Sequence, residues 1–275
     1  MNIIELFTFP FMLRALLAGS FVAILLGWLG TFMVTKKMSF MGDGIAHASL
    51  AGIALALLVG WAPIPTAIIL AIGLAIGIYI LENKTNITSD MAIGIMLTTG
   101  MAIGIILLNF YPGYQPELVS FLFGNILTIN TQDLQLTIAI GSIILFALAF
   151  YYNKLVFTTF DPEGAYLSGL NPWKYDILLY VMSAVGIVLS IKLVGIILVS
   201  ALIITPSAFS RIFARSFKQF TFIAIISAII IVISGLIISY YLNIPSGATI
   251  IIVGTVLFIL GSILQNLTKH LHVRK

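Results

Sequence analysis

The sequence predicts an all-α integral membrane protein, a polytopic bundle of eight or nine transmembrane helices forming one domain over residues 1–275. Three observations predict it. Of 275 residues, 61% are hydrophobic and 8% are charged, whereas a soluble domain carries about a quarter charged residues. The mean hydropathy is +1.18. The apolar residues gather into nine stretches, each near the roughly 20 residues that cross a bilayer as a helix.

In chain order these stretches are 12–34, 39–60, 63–81, 91–111, 134–152, 176–191, 193–210, 220–242 and 247–267. The first runs on too long for the core of a signal peptide. The N-terminus MNIIELFTFPFM also lacks the basic segment of one, so no cleaved leader is expected. Polar breaks separate the stretches: Lys36-Lys37, Trp61-Ala62-Pro63, residues 82–89, 112–131, 153–174, Lys192, 211–218 and 243–246. The sixth and seventh stretches are short and barely separated at Lys192. They read as two tilted helices or as one interrupted element. Thr205-Pro206 interrupts the seventh stretch, because proline removes a backbone donor and kinks a helix. Eight spans result if the first stretch or 193–210 is only partly inserted.

Two connections are longer than a turn. YPGYQPELVSFLFGNILTINTQD is amphipathic and aromatic, and suits the membrane interface. FDPEGAYLSGLNPWKYD carries helix signals. Asp161 is a cap, Pro162 a first-turn proline, and Glu163 an acid beside the positive helix end. Gly169 closes the segment and Asn171-Pro172 stops it, so a helix of about two turns is expected.

Basic residues set the orientation. With the C-terminus in the cytoplasm and nine alternating spans, Lys36, Lys37, Lys84, Lys154, Lys174, Arg211, Arg215, Lys218, Lys269, Arg274 and Lys275 fall inside. Only Arg14 and Lys192 fall outside. This bias accounts for the net charge of +4 without a nucleic-acid partner. There is no cysteine, which excludes disulfides and thiolate metal sites. No G-x-x-x-x-G-K-[ST] loop, H-E-x-x-H or G-x-S-x-G occurs, so nucleotide hydrolysis by that loop and two hydrolase classes are excluded.

Chemistry concentrates in residues 38–52, MSFMGDGIAHASLAG. Asp43 and His47 are four apart, on one helical face one turn from each other. Ionisable groups in a membrane are costly and usually face the bundle or a cavity. An imidazole with a carboxylate suits zinc or manganese. The plainer alternative is that Asp43 caps the helix and His47 makes one interhelical hydrogen bond. Two ligands do not complete a four-coordinate site, so further ligands come from elsewhere or the ion binds weakly in transit. Small residues surround the pair, including Gly42, Gly44, Ala48 and Gly52. They let neighbouring backbones approach closely.

The run LGWLGTFMVTKKMSFMGDGIAHASLAG (26–52) resembles the signature of the zinc/manganese permeases of bacterial ABC importers. In that family a basic pair precedes a Gly-Asp-x-x-x-His-x-x-x-x-Gly run. The resemblance continues through SFLFGNILTI (120–129), FDPEGAYLSGL (160–170) and KLVGIILVSALIITPSAFSRIFAR (192–215). It implies a fold like that of the vitamin B12 and iron-siderophore permeases, one span shorter. It implies a homodimer in the bacterial cell membrane, cytoplasmic ATPase subunits that hydrolyse the ATP, and an extracytoplasmic metal-binding protein. This chain would then be a transport subunit and no enzyme, holding no cofactor of its own, with Zn2+ as cargo and manganese or iron as the alternatives within the family. By similarity Asp43 and His47 are the metal-contacting pair. The segment holding Asp161, Pro162, Glu163, Ala165, Leu167 and Gly169 docks on the ATPase. The Phe-Gly-Asn of the outer connection resembles the zinc branch more than the manganese branch. A secondary transporter using Asp43 and His47 as a proton relay is the alternative from another class.

Overall fold

The computed structural model describes residues 10–85, 87–110 and 129–273, with side chains through 267. All nine apolar stretches are helices of membrane length among these residues. They are α1 (Pro10–Thr35), α2 (Met41–Val59), α3 (Pro63–Lys84), α4 (Ser89–Asn109), α5 (Thr131–Phe160), α7 (Pro172–Val194), α8 (Ile196–Phe213), α9 (Phe217–Leu242) and α10 (Ser246–Val273). A short helix, α6 (Pro162–Leu167), stands between α5 and α7. The aromatic connection over 111–128, with its Phe-Gly-Asn, lies outside the described residues, as do the side chains of the tail 269–275.

Two expectations change. The sixth and seventh stretches are separate helices, and the break falls at Gly195 rather than at Lys192. Gly195 has φ +82, a backbone that a residue without Cβ adopts readily. Lys192 stays inside α7. Pro206 does not interrupt α8, which runs unbroken from Ile196 to Phe213 with Pro206 buried.

The helices α1, α2, α7 and α8 form the centre, while α4, α5, α9 and α10 present large apolar side chains outward, among them Ile105, Phe146, Phe222 and Ile259. An exterior of that kind is matched to lipid and not to water. Inside, small residues bring backbones together. A Cβ placed on Gly100 of α4 would stand 2.5 Å from the Ala48 Cβ of α2, and one on Gly30 of α1 would stand 2.5 Å from the Ile203 carbonyl oxygen of α8. Without a water-driven hydrophobic term between helices, such close packing supplies the attraction. Several buried hydroxyls are satisfied within their own helix: Ser49 donates to Ala46 O, Ser190 to Gly186 O and Ser207 to Ile203 O.

Polar links fasten the helix ends in two sets. On one side Lys36, after α1, pairs with Asp176 of α7 at 2.6 Å. Glu82 of α3 accepts from Tyr180 of α7 and from Ser89 of α4, and Ser210 of α8 donates to the Phe220 carbonyl of α9. On the other side Lys192, near the end of α7, pairs with Asp133 at the start of α5. Each set joins C-terminal ends to N-terminal beginnings, as alternating crossings require.

Candidate metal pathway and docking helix

The chain reaches the candidate metal pair through a tight reversal. After α1, Lys37 takes φ +59. Met38 N–H donates to Met33 O at 2.8 Å, and Lys37 N–H to Val34 O at 3.2 Å. These are the two hydrogen bonds of a Schellman closure, with a lysine where glycine is commoner. Met33 and Met38 are both fully buried, and the backbone bond between them closes the turn that starts α2.

Asp43 lies in the first turn of α2, beside the positive end of the helix dipole. The capping position is Phe40, with no side-chain cap bond, so Asp43 does not cap the helix. Its carboxylate instead accepts a hydrogen bond from Ser200 Oγ of α8 at 2.5 Å. Between Met41 and Ala54 every residue is buried except Asp43 and His47, which are partly open. The open face of this stretch of α2 is therefore the face carrying the two ionisable groups. The imidazole of His47 has no hydrogen-bond or ion-pair partner among the described residues, and the interhelical bond of the plainer alternative is not made there.

Depth follows from shared contacts. A Cβ on Gly42 would stand 3.0 Å from Ile203 Cδ1, and Ile203 also abuts Gly30. Asp43 therefore lies near the level of Gly30, six residues or about 9 Å of helix rise from Lys36. His47 lies one turn further, about 15 Å in, near the middle of a hydrocarbon layer about 30 Å thick. The small residues around the pair meet their neighbours as the sequence leads one to expect: Gly44 abuts Ile93, Ala48 abuts Gly100, and Gly52 abuts Ala67. Thus α3, α4 and α8 clamp α2 while its Asp43–His47 face stays open.

Among the described residues no group of three or more His, Cys, Asp or Glu side chains gathers as a metal site. One copy offers an imidazole nitrogen and a carboxylate, with the Ser200 hydroxyl bracing the carboxylate. That donor set suits a borderline divalent cation held incompletely. Ser200 carries no signal in the sequence, since only the register of α8 against α2 brings it to Asp43. Glu82, Asp133 and Asp176 were visible as charges at the edges of apolar stretches, but their partners were not.

The segment 161–169 lies apart, at an end of the bundle. At about 45 Å, α5 is longer than the hydrocarbon layer and carries its last turns beyond it. Asp161 Oδ1 accepts from Gly164 N–H at 2.9 Å, and Pro162 opens the helix. At the far end Leu170 N–H bonds to Ala165 O and Gly169 N–H to Tyr166 O, both at 3.0 Å. Gly169 has the positive φ (+82) that this closure needs. Ala165 is fully buried against the bundle, while Glu163, Tyr166 and Leu167 are exposed, Leu167 at 86%. Gly164 is a requirement that sequence reading passed over. A Cβ there would fall 2.1 Å from Asp161 Oδ2.

Comparison with known proteins places these features in context. Residues 8–265 match the family described as the ABC 3 transport family. The chain is 33% identical to the high-affinity zinc uptake system membrane protein ZnuB of Haemophilus influenzae, over 92% of this chain and 97% of that protein. It is also 33% identical to the manganese transport system membrane protein MntC of Listeria monocytogenes, over 93% and 91%. Among solved structures it superposes on a chain of PsaBC from Streptococcus pneumoniae, in complex with Fab, with TM-score 0.82 and 32% identity, covering 94% of this chain and 93% of that one. A chain of a metal-chelate type ABC transporter in an inward-facing conformation has the same fold, with TM-score 0.75 at 16% identity, covering 94% and 87%.

Proposed function

This chain belongs to the ABC 3 transport family, and from that premise we propose that it is the membrane permease subunit of an ABC importer for a divalent transition-metal ion. The single observation that carries the proposal is the open Asp43–His47 face of an otherwise buried α2, near mid-membrane. An aspartate and a histidine on lipid-embedded helices each cost roughly 2 kcal/mol or more. A helix that bears that cost with the face left open is built to meet something polar.

The transported ion passes in steps. A cation arriving from outside meets the pair, loses part of its water shell to the carboxylate and the imidazole, and leaves inward. Incomplete coordination favours this, because a site that holds an ion too well does not release it. The ATP is hydrolysed by separate cytoplasmic subunits, and an extracytoplasmic binding protein delivers the ion. The exposed Tyr166 and Leu167 of α6, on a capped helix beyond the bilayer, are the docking surface for the ATPase.

Zinc is the first ion to test and manganese the second. Relatives of equal identity carry either name, and a histidine–carboxylate pair accepts both. The permease reconstituted in vesicles with its ATPase and binding protein should accumulate zinc, manganese or both only when ATP is supplied. Accumulation driven by a proton gradient without ATP would instead favour a secondary transporter, and no ATP-dependent accumulation of either ion would overturn the proposal.

A further inference from the structure

On the side of the bundle away from Asp43 and His47, α5 and α9 stand apart over α1 and leave a groove of about 640 Å³. The groove changes character along its length. At one end lie Asn153, Ser216, Lys218 and Gln219, and at the other Trp28, Ala149, Phe222 and Ile225. Lys218 is exposed in the first turn of α9 and has no ion-pair partner among the described residues. Trp28 precedes Lys36 by eight residues, and Ile225 follows Phe217 by eight, so the apolar end lies about 12 Å deeper than the polar end.

Three properties decide what fits. The deep end is apolar and lies at hydrocarbon level, so it has few partners for water. The shallow end carries a lysine and the positive end of a helix dipole, which complement an anion. The rim carries a large apolar side chain turned outward, Phe222, 63% exposed. The helix α2, which carries the metal pair on its open face, packs with α3, α4, α7 and α8, whereas α1, α5 and α9 line this groove.

We propose that this groove is a binding site for an anionic phospholipid of the membrane leaflet at the Lys36 side. One acyl chain lies against Trp28, Ala149 and Ile225, and the headgroup phosphate sits at Lys218 and the start of α9. The site differs from general lipid contact because its floor is a central helix, α1, and its mouth holds an unpaired cation. The inference stands independently of the transported ion.

Trp28 is a built-in reporter. The chain has 3 tryptophans, and Trp61→Phe with Trp173→Phe leaves it alone. The test is fluorescence quenching of this variant in vesicles of phosphatidylcholine containing chain-brominated phosphatidylglycerol or, separately, chain-brominated phosphatidylcholine. Phosphatidylglycerol should bind roughly fivefold more favourably, the factor one lysine supplies near an anionic headgroup. Lys218→Glu should abolish the preference, Lys218→Arg should retain it, and Ala149→Phe should lower quenching by both lipids. Equal quenching by the two lipids, unchanged in Lys218→Glu, would reduce the groove to ordinary lipid contact. Absence of quenching by either would mean that protein, such as a second copy, fills it. Either result overturns the proposal.

Discussion

At the scale of single residues, Asp43 is held by its place in the first turn of α2 and by Ser200 of α8. A hydrogen bond to a charged group contributes about 1.5–3 kcal/mol, and here it joins the candidate metal ligand to a helix distant in sequence. Ser200→Ala should leave folding intact but free the carboxylate, lowering metal uptake by about tenfold, the factor corresponding to about 1.4 kcal/mol. Uptake at wild-type rate in that variant would show that the bond does not set the carboxylate's position. Asp43 and His47 were legible in the sequence because a four-residue spacing is enough to put two side chains on one face. Ser200 was not, because its role depends on how α8 sits against α2. The capping role considered for Asp43 failed for a local reason. The helix starts early enough to place Asp43 three positions in, where its carboxylate turns to α8.

At the scale of elements, α6 was legible almost whole, since Asp161, Pro162, Glu163 and Gly169 are punctuation that acts within one turn. Gly164 went unnoticed because its constraint is the Asp161 side chain folded over it, which no pattern of residue types shows. Gly164→Ala should break that cap, which is worth roughly 1 kcal/mol, and uncouple ATP hydrolysis from uptake without unfolding the bundle. Glu163→Lys or Leu167→Asp should do the same through the exposed face. Wild-type coupling in all three, measured as ions moved per ATP, would remove α6 from the docking surface. The seam of α2 against α4 makes a different prediction. Gly100→Leu forces a side chain into the space of Ala48 and should lower the thermal stability and yield of the detergent-purified protein. A melting temperature equal to wild type would mean that the seam is looser than the structure shows. The break at Gly195 and the unbroken passage of α8 through Pro206 were both misplaced from sequence. Charge marks a helix end less reliably than a backbone angle does, and a proline is absorbed where neighbouring helices hold the chain.

At the scale of the whole molecule, a bundle of eight or nine membrane-length helices was legible from hydropathy alone, because lipid asks little of a sequence beyond length and apolarity, and nine stand among the described residues. Their arrangement was not, since the central place of α1, α2, α7 and α8 comes from small residues whose partners lie in other helices. The two sets of end-to-end links fix which ends share a side, and the orientation expected from the basic residues puts the Lys36 side in the cytoplasm. Cysteines at Ser168 and Ser216, both exposed, should therefore be protected from an impermeant thiol reagent in intact cells, while one at Ile244 should react. Labelling of the first two from outside would invert the orientation. The central claim is that Asp43 and His47 touch the ion as it crosses. It is tested most directly by ATP-dependent zinc and manganese uptake into vesicles carrying Asp43→Asn or His47→Gln at matched protein level, with ATPase binding checked in parallel. Both variants keep shape and hydrogen-bonding capacity, but Asn lacks the charge that offsets a dication and Gln is a poor ligand beside imidazole. Uptake abolished in both, with assembly intact, is the result expected; near-normal uptake in both would return the pair to a purely structural role.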